Sequence, residues 1–99
     1  LNRIRLQARV VERTALRYTP AGIAVAEATL AFSGAVSEGG GQRQLDFEFS
    51  AIAVGAVAQT FGQIELGSLL DIDGFIAPVS RRSQRLRIHI TDYQRIQGD

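Results

Sequence analysis

Apolar and polar residues alternate from the start of this chain. In Arg3-Ile4-Arg5-Leu6-Gln7-Ala8-Arg9-Val10 the even positions are apolar and the odd ones polar. A period of two marks a β-strand with one buried face, which predicts a first strand over about residues 2–13. Arg3, Arg5 and Arg9 share its outer side. Thr19-Pro20-Ala21-Gly22 has turn chemistry. A second strand follows over about 24–34, with Ala26, Ala28, Leu30 and Phe32 on one face and Glu27 and Thr29 on the other. The glycine triplet Gly39-Gly40-Gly41 reads as a flexible connection. A third strand is expected over about 43–53, where Leu45, Phe47, Phe49 and Ala51 alternate with Gln44, Asp46, Glu48 and Ser50.

The segment from Val54 to Leu66 breaks the alternation. Val54, Val57, Ala58 and Phe61 fall at i, i+3, i+4 and i+7, one apolar stripe of a helix. Gly55 and Gly62 restrict it to one or two turns. Gly67 turns the chain into a fourth strand over about 69–78, ended by Pro78. Ser80-Arg81-Arg82-Ser83-Gln84-Arg85 is a basic loop, and a fifth strand spans about 85–96. There Leu86, Ile88 and Ile90 are expected inside, and Arg85, Arg87, His89 and Thr91 outside. The reading is all-β, one domain over residues 1–99. It is a five-stranded OB-fold barrel with a short helical or irregular connection between strands three and four. A five-stranded SH3-like barrel is the structural alternative.

The chain has 99 residues and no cysteine, which excludes a disulfide framework and a thiolate metal site. No apolar run approaches the roughly 20 residues of a membrane-spanning helix. No signal peptide is visible, and a cytoplasmic location is expected. Net charge is only +1, yet all 11 basic residues are arginine. Arginine presents a planar fork to phosphate and stacks on flat rings.

Catalytic chemistry finds little support. His89 is the single histidine and lies mid-strand among outward positions. Asp71 and Asp73 share a strand face and are expected to meet arginines across the sheet or to solvate that face. The glycine triplet lacks the lysine and hydroxyl of a phosphate-binding loop. No enzyme activity, metal or nucleotide cofactor is expected.

The arginines form the stronger constellation. OB-folds take oligonucleotides on the face of strands two and three and on the loops after strands one and four. Arg17 lies in the first of those loops; Arg81, Arg82 and Arg85 lie in the second. Arg3, Arg5, Arg85 and Arg87 sit on outer faces of strands one and five, which a small barrel could bring near each other. Single-strand binders usually add aromatic platforms for the bases. Here there is no tryptophan. The five phenylalanines are expected mostly in the core, leaving Tyr18 and Tyr93 as exposed rings.

Several short motifs carry a resemblance across the chain. They are Asn2-Arg3-Ile4-Arg5-Leu6, Leu16-Arg17 before Thr19-Pro20-Ala21-Gly22-Ile23, Arg43-Gln44, Leu66-Gly67-Ser68, Asp73-Gly74-Phe75-Ile76 and Ile96-Gln97-Gly98-Asp99. In this order they resemble the PriB family of primosomal replication proteins, a branch of the OB-fold single-stranded DNA-binding proteins. The resemblance implies a homodimer that binds single-stranded DNA, contacts the PriA helicase and other primosome proteins, and helps reload the replisome. It implies DNA contacts at Arg17 and, in the loop between strands four and five, at Arg81, Arg82 and Arg85; Tyr18, the ring beside Arg17, and Arg43 are further candidate DNA contacts. Two positions depart from the family pattern: a strand-two arginine falls on Ser33, and a stacking strand-three tryptophan falls on Asp46. Both changes weaken single-strand binding. The alternatives are a protein-interaction adaptor with vestigial DNA binding, or an ordinary single-stranded DNA-binding protein without its tail.

Overall fold

The computed structural model describes residues 1–96; the Gln97-Gly98-Asp99 end of the resemblance lies outside them. Six strands and one short helix follow in chain order. They are β1 (Ile4–Arg13), β2 (Arg17–Tyr18), β3 (Ala24–Glu38), β4 (Gly41–Val54), α1 (Ala56–Phe61), β5 (Leu69–Pro78) and β6 (Leu86–Arg95). The sheet runs β1-β5-β6-β4-β3-β2, and β1 also pairs with β3. That last pairing closes β1, β5, β6, β4 and β3 into a barrel. Five strands with a helix between the third and fourth barrel strands are the expected OB-fold. The two-residue β2 was not anticipated; it pairs with Val25 and Ala24 of β3.

One bulge makes the barrel corner. Val10 opposes Leu30, but Glu12 opposes Thr29, so Val11 is the extra residue on β1. A bulge bends its strand and reverses the facing of the residues beyond it. β1 pairs with β5 over Ile4–Arg9 and with β3 from Arg9 onward, on both sides of the bulge. After the bulge, Arg13 swings onto the inner side. Its Nε donates to the Ile64 carbonyl at 2.8 Å and its Nη1 to the Gly62 carbonyl at 2.5 Å. The guanidinium thereby satisfies carbonyls left open where α1 ends, where a cation is favoured. The polar–apolar alternation gave no sign of this role.

The core uses small and large residues in turn. Ala8, Ala26 and Ala53 are buried beside Leu30, Leu70 and Ile72. Phe61, with no exposed surface, comes from α1. The predicted helical stripe holds for Val57, Ala58 and Phe61, whereas Val54 is exposed.

The glycine triplet is a tight turn rather than a flexible connection. Glu38 pairs with Gly41, leaving Gly39 and Gly40 at φ 63° and 82°. Two successive positive φ values are what a type I′ hairpin turn requires, and they keep the strand twist continuous. Consequently β3 and β4 form one long ribbon that projects beyond the barrel. On its inner side Phe32 lies opposite Phe47 at a ring distance of 5.5 Å, and Phe47 meets Phe49 at 5.9 Å. Phe47 is 45% exposed. The expectation that the phenylalanines are mostly core therefore fails at this ribbon, because the ladder outruns the barrel that would bury them.

A second bulge falls on β6. Asp73 opposes Asp92 while Gly74 opposes Ile90, leaving Thr91 extra. The facing reverses, so Tyr93 turns inward and packs edge-on against Phe61 at 5.6 Å. It is not the exposed ring the alternation implied. Leu86, expected inside, is 56% exposed because it lies past the barrel rim.

Candidate nucleic-acid interface

The outer face of β3 and β4 is floored by Thr29, Ser50 and Glu27, with the loop after β1 on one side and the loop between β5 and β6 on the other. Together they line a groove of about 470 Å³ that also includes Arg85 and Arg87. Glu27 is its electrostatic centre. Arg17 Nη2 lies 2.7 Å from one carboxylate oxygen, and Arg87 Nη1 lies 3.6 Å from the other. Thr14 fixes the backbone there: Glu27 N–H donates to Thr14 Oγ1 at 3.0 Å. The Arg17 side chain remains 54% exposed, so one edge of its guanidinium faces solvent. Arg87 is more enclosed, at 19%, and its buried Nε has no hydrogen-bond partner among the described residues. A buried donor without a partner is costly.

The loop that carries Arg81, Arg82 and Arg85 is a closed hairpin end. Val79 N–H donates to the Arg85 carbonyl at 2.8 Å, and Arg85 N–H to Ser83 Oγ at 3.0 Å. Arg81 and Arg82 are fully on the surface. Among the described residues neither forms an ion pair. Arg85 and Arg87 thus line the groove, Arg17 borders it through its ion pair with Glu27, and Arg81 and Arg82 belong to the loop that flanks it. Sequence reasoning put Arg87 on the outer face but left it out of the site. Its signal was spacing, two residues beyond Arg85 on the same strand.

The other expected contacts scatter. Tyr18 is 58% exposed, but it alternates with Arg17 and points to the opposite side of β2. Arg43 pairs with Glu38 at 2.6 Å near the ribbon tip. It shares the inner side with Val36, Leu45 and Phe47, away from the groove. The outer arginines of β1 do not join β6, because β5 lies between them. Arg3 meets Asp73 at 2.6 Å and Arg5 meets Asp71 at 2.9 Å. Each carboxylate is held below its ordinary pKa by the hydrogen bond from its arginine. The acid pair therefore neutralises arginines across the sheet, the role expected for it.

Comparison with known proteins decides the family. The profile of a family described as another single-strand binding protein family matches residues 2–92. The replication restart protein PriB of Bordetella pertussis is 35% identical over 98 residues, covering 99% of this chain and 92% of that protein. The PriB of Nitrosomonas europaea is 37% identical over 91 residues, covering 92% and 84%. The solved structure of PriB from Ralstonia solanacearum superimposes with a TM-score of 0.88 at 35% identity, covering 98% of this chain and 99% of that one. The chain belongs to the PriB family.

Within the PriB fold, Ser33 and Asp46 occupy one cross-strand pair on the outer side of the ribbon. Ser33 Oγ donates to Asp46 Oδ1 at 2.6 Å. Glu48 is on the same side, opposite Ala31. This PriB-family chain therefore presents carboxylates where the ribbon leaves the groove, and its cations are concentrated at the barrel end.

Proposed function

We propose that this chain is a non-enzymatic single-stranded DNA-binding component of the replication-restart machinery. It holds the strand in the groove through phosphate contacts from Arg17, Arg85 and Arg87, with Arg81 and Arg82 guiding entry. The observation that carries this reading is the groove lined by Arg85 and Arg87, with Arg17 paired to its lining residue Glu27. Phosphates supply most of the affinity of such sites and make it salt-dependent. No nucleotide or metal takes part. The PriA helicase and other primosome proteins are the protein partners that go with this role. A homodimer is part of the reading. On the edge opposite β5, β1 pairs with β3 only from Arg9 onward, leaving residues 4–8 unpartnered, and the nearby ribbon exposes Phe47. Open edges and apolar patches of this kind are covered by a second copy in many small β-proteins. Sedimentation showing only monomer at micromolar concentration would remove the dimer.

The test is anisotropy of a dye-labelled oligonucleotide, single-stranded and then duplex, across a salt series. Preference for the single strand with steep salt dependence supports the reading; no binding at low salt refutes it. A second reading is favoured by Ser33, Asp46 and Glu48 on the ribbon: an adaptor for the helicase with vestigial DNA binding. Charge reversal by R81E/R82E separates the two. Lost DNA affinity with intact helicase binding supports the first, and unchanged DNA affinity supports the second.

A further inference from the structure

Outward-facing residues form rows across the sheet. One row runs Glu27, Ile52, His89, Phe75 in direct register from β3 through β4 and β6 to β5. It adjoins the groove, because His89 is two residues beyond Arg87 on the same side of β6. At the strand rise that is about 7 Å. In this row Phe75 and His89 stack face to face, with ring centroids 4.7 Å apart and planes inclined by 15°. Beside them a slot of about 330 Å³ opens, lined by Val54, Val57, Phe75, His89, Ile90 and Thr91. No charged residue lines it. Ile52, 5% exposed, adjoins His89 in the row and is covered. The Thr91 hydroxyl is committed to the Asp73 carbonyl at 3.1 Å. The imidazole of His89 makes no hydrogen bond to any described residue, which leaves its ring nitrogens available.

We propose that this slot takes an unpaired nucleobase, stacked against the Phe75–His89 pair, from a strand whose phosphates lie in the groove. The inference rests on the single-strand reading above and adds to it a site for the base. Three features favour a base over another apolar occupant. The slot lies beside the cationic groove, with His89 two residues beyond Arg87 on the same side of β6; a stacked aromatic pair forms one wall; and the rest is aliphatic apart from Thr91, whose hydroxyl is already committed. The pair also supplies what the chain otherwise lacks on this face, since Tyr18 and Tyr93 point elsewhere. Stacking of this kind tolerates any base, because every base has a flat face. Burial, with Arg87 nearby, lowers the His89 pKa, so the ring is neutral at pH 7 and presents an uncharged face.

The test compares an oligothymidylate with an abasic strand of equal length, by competition against a labelled oligonucleotide at one salt concentration. Wild type is expected to prefer the thymidylate. The double variant Phe75→Leu/His89→Leu keeps apolar bulk without rings. It should lose thymidylate affinity by roughly five- to hundredfold, the range for removing one base stack. Its affinity for the abasic strand should stay within about twofold, as its phosphate contacts are intact. Retention of thymidylate affinity, or equal loss on both strands, overturns the slot. His89→Phe alone preserves a stack and should retain the preference. Thermal melting establishes that each variant is folded. Should the double variant fail to fold, photocrosslinking of an iodouracil oligonucleotide to wild type decides. A crosslink at Phe75 or His89 supports the slot, and crosslinks confined to other residues overturn it. Wild type that binds neither strand refutes the single-strand reading itself, a result distinct from binding without base preference.

Discussion

Glu27 holds two of the arginines proposed to contact phosphate, so on that proposal removing its charge should tighten DNA binding. The substitution is Glu27→Gln, which keeps the size and hydrogen-bonding ability of the side chain. Arg17 and Arg87 reach this carboxylate at 2.7 Å and 3.6 Å. A phosphate on the solvent edge of the Arg17 guanidinium would stand roughly 6 Å from the Glu27 carboxylate. At that separation like charges repel by about 0.7 kcal/mol at the dielectric constant of water and by about 2.8 kcal/mol at an effective value near 20. Arg17 is 54% exposed, so screening places the effect near the lower figure. A gain of about 0.7–1.4 kcal/mol is a three- to tenfold tightening. If Arg87 is also released to a phosphate, the dependence of log affinity on log salt should steepen by about 0.7. Anisotropy titrations of wild type and variant over the same salt series measure both quantities. Weaker binding by Glu27→Gln would show instead that the carboxylate positions the arginines rather than competing with phosphate for them.

Gly74 is the most tightly enclosed glycine among the described residues. A Cβ there would overlap the His89 carbonyl oxygen and lie 3.3 Å from Ile90 Cα, both backbone. Gly74→Ala must pry β5 from β6 and should cost about 2–4 kcal/mol, lowering the melting temperature by roughly 10–25 °C for a domain of this size. Gly34→Ala, whose Cβ would meet only the ring edge of Phe32 at 3.1 Å, should shift it far less; equal shifts would show that backbone overlap is not what constrains Gly74. Acid behaviour gives a further check. Asp73 has its folded pKa lowered by Arg3, so its contribution is complete above the ordinary value of 3.8 and is lost as pH falls through the folded value. The stability difference between wild type and Asp73→Asn, from urea unfolding, should narrow as pH drops below about 4. A difference that stays constant down to pH 2.5 would remove the pair from the linkage.

Much of the architecture was readable from alternation alone. Each barrel strand showed its period of two, and the break over residues 54–66 marked the helix that delivers Phe61. The failures share a physical cause. Period-two reasoning assumes an unbroken pleat, and the extra residues Val11 and Thr91 reverse it. That reversal sends Arg13 to the helix end and Tyr93 into the core. A single inserted residue leaves no trace in composition, so neither role was visible. The ribbon failed differently: Phe47 alternates correctly but outruns the barrel that would cover it. Loop arginines were legible because Arg81, Arg82 and Arg85 cluster in sequence. Arg87 and the Phe75–His89 stack were not, since they depend on which strands become neighbours.

The barrel is sealed along β4 and β6 by only three parallel register pairs, Ala51 with Ile88, Ile52 with His89 and Ala53 with Ile90. Every other junction in the closed ring is antiparallel, and the β3–β4 ladder alone is several times longer. This seam and the four-pair, bulged junction of β1 with β3 are therefore the short closures of the cylinder, where local opening to solvent is expected first. Ser50 and Arg87 lie on the two lips of the β4–β6 seam, and the groove spans them. On the proposed function, a strand of DNA lying there would act as a suture. Occupancy should then slow amide hydrogen exchange along both lips, far more than in the ribbon, and the nucleic acid becomes part of what keeps the wall closed.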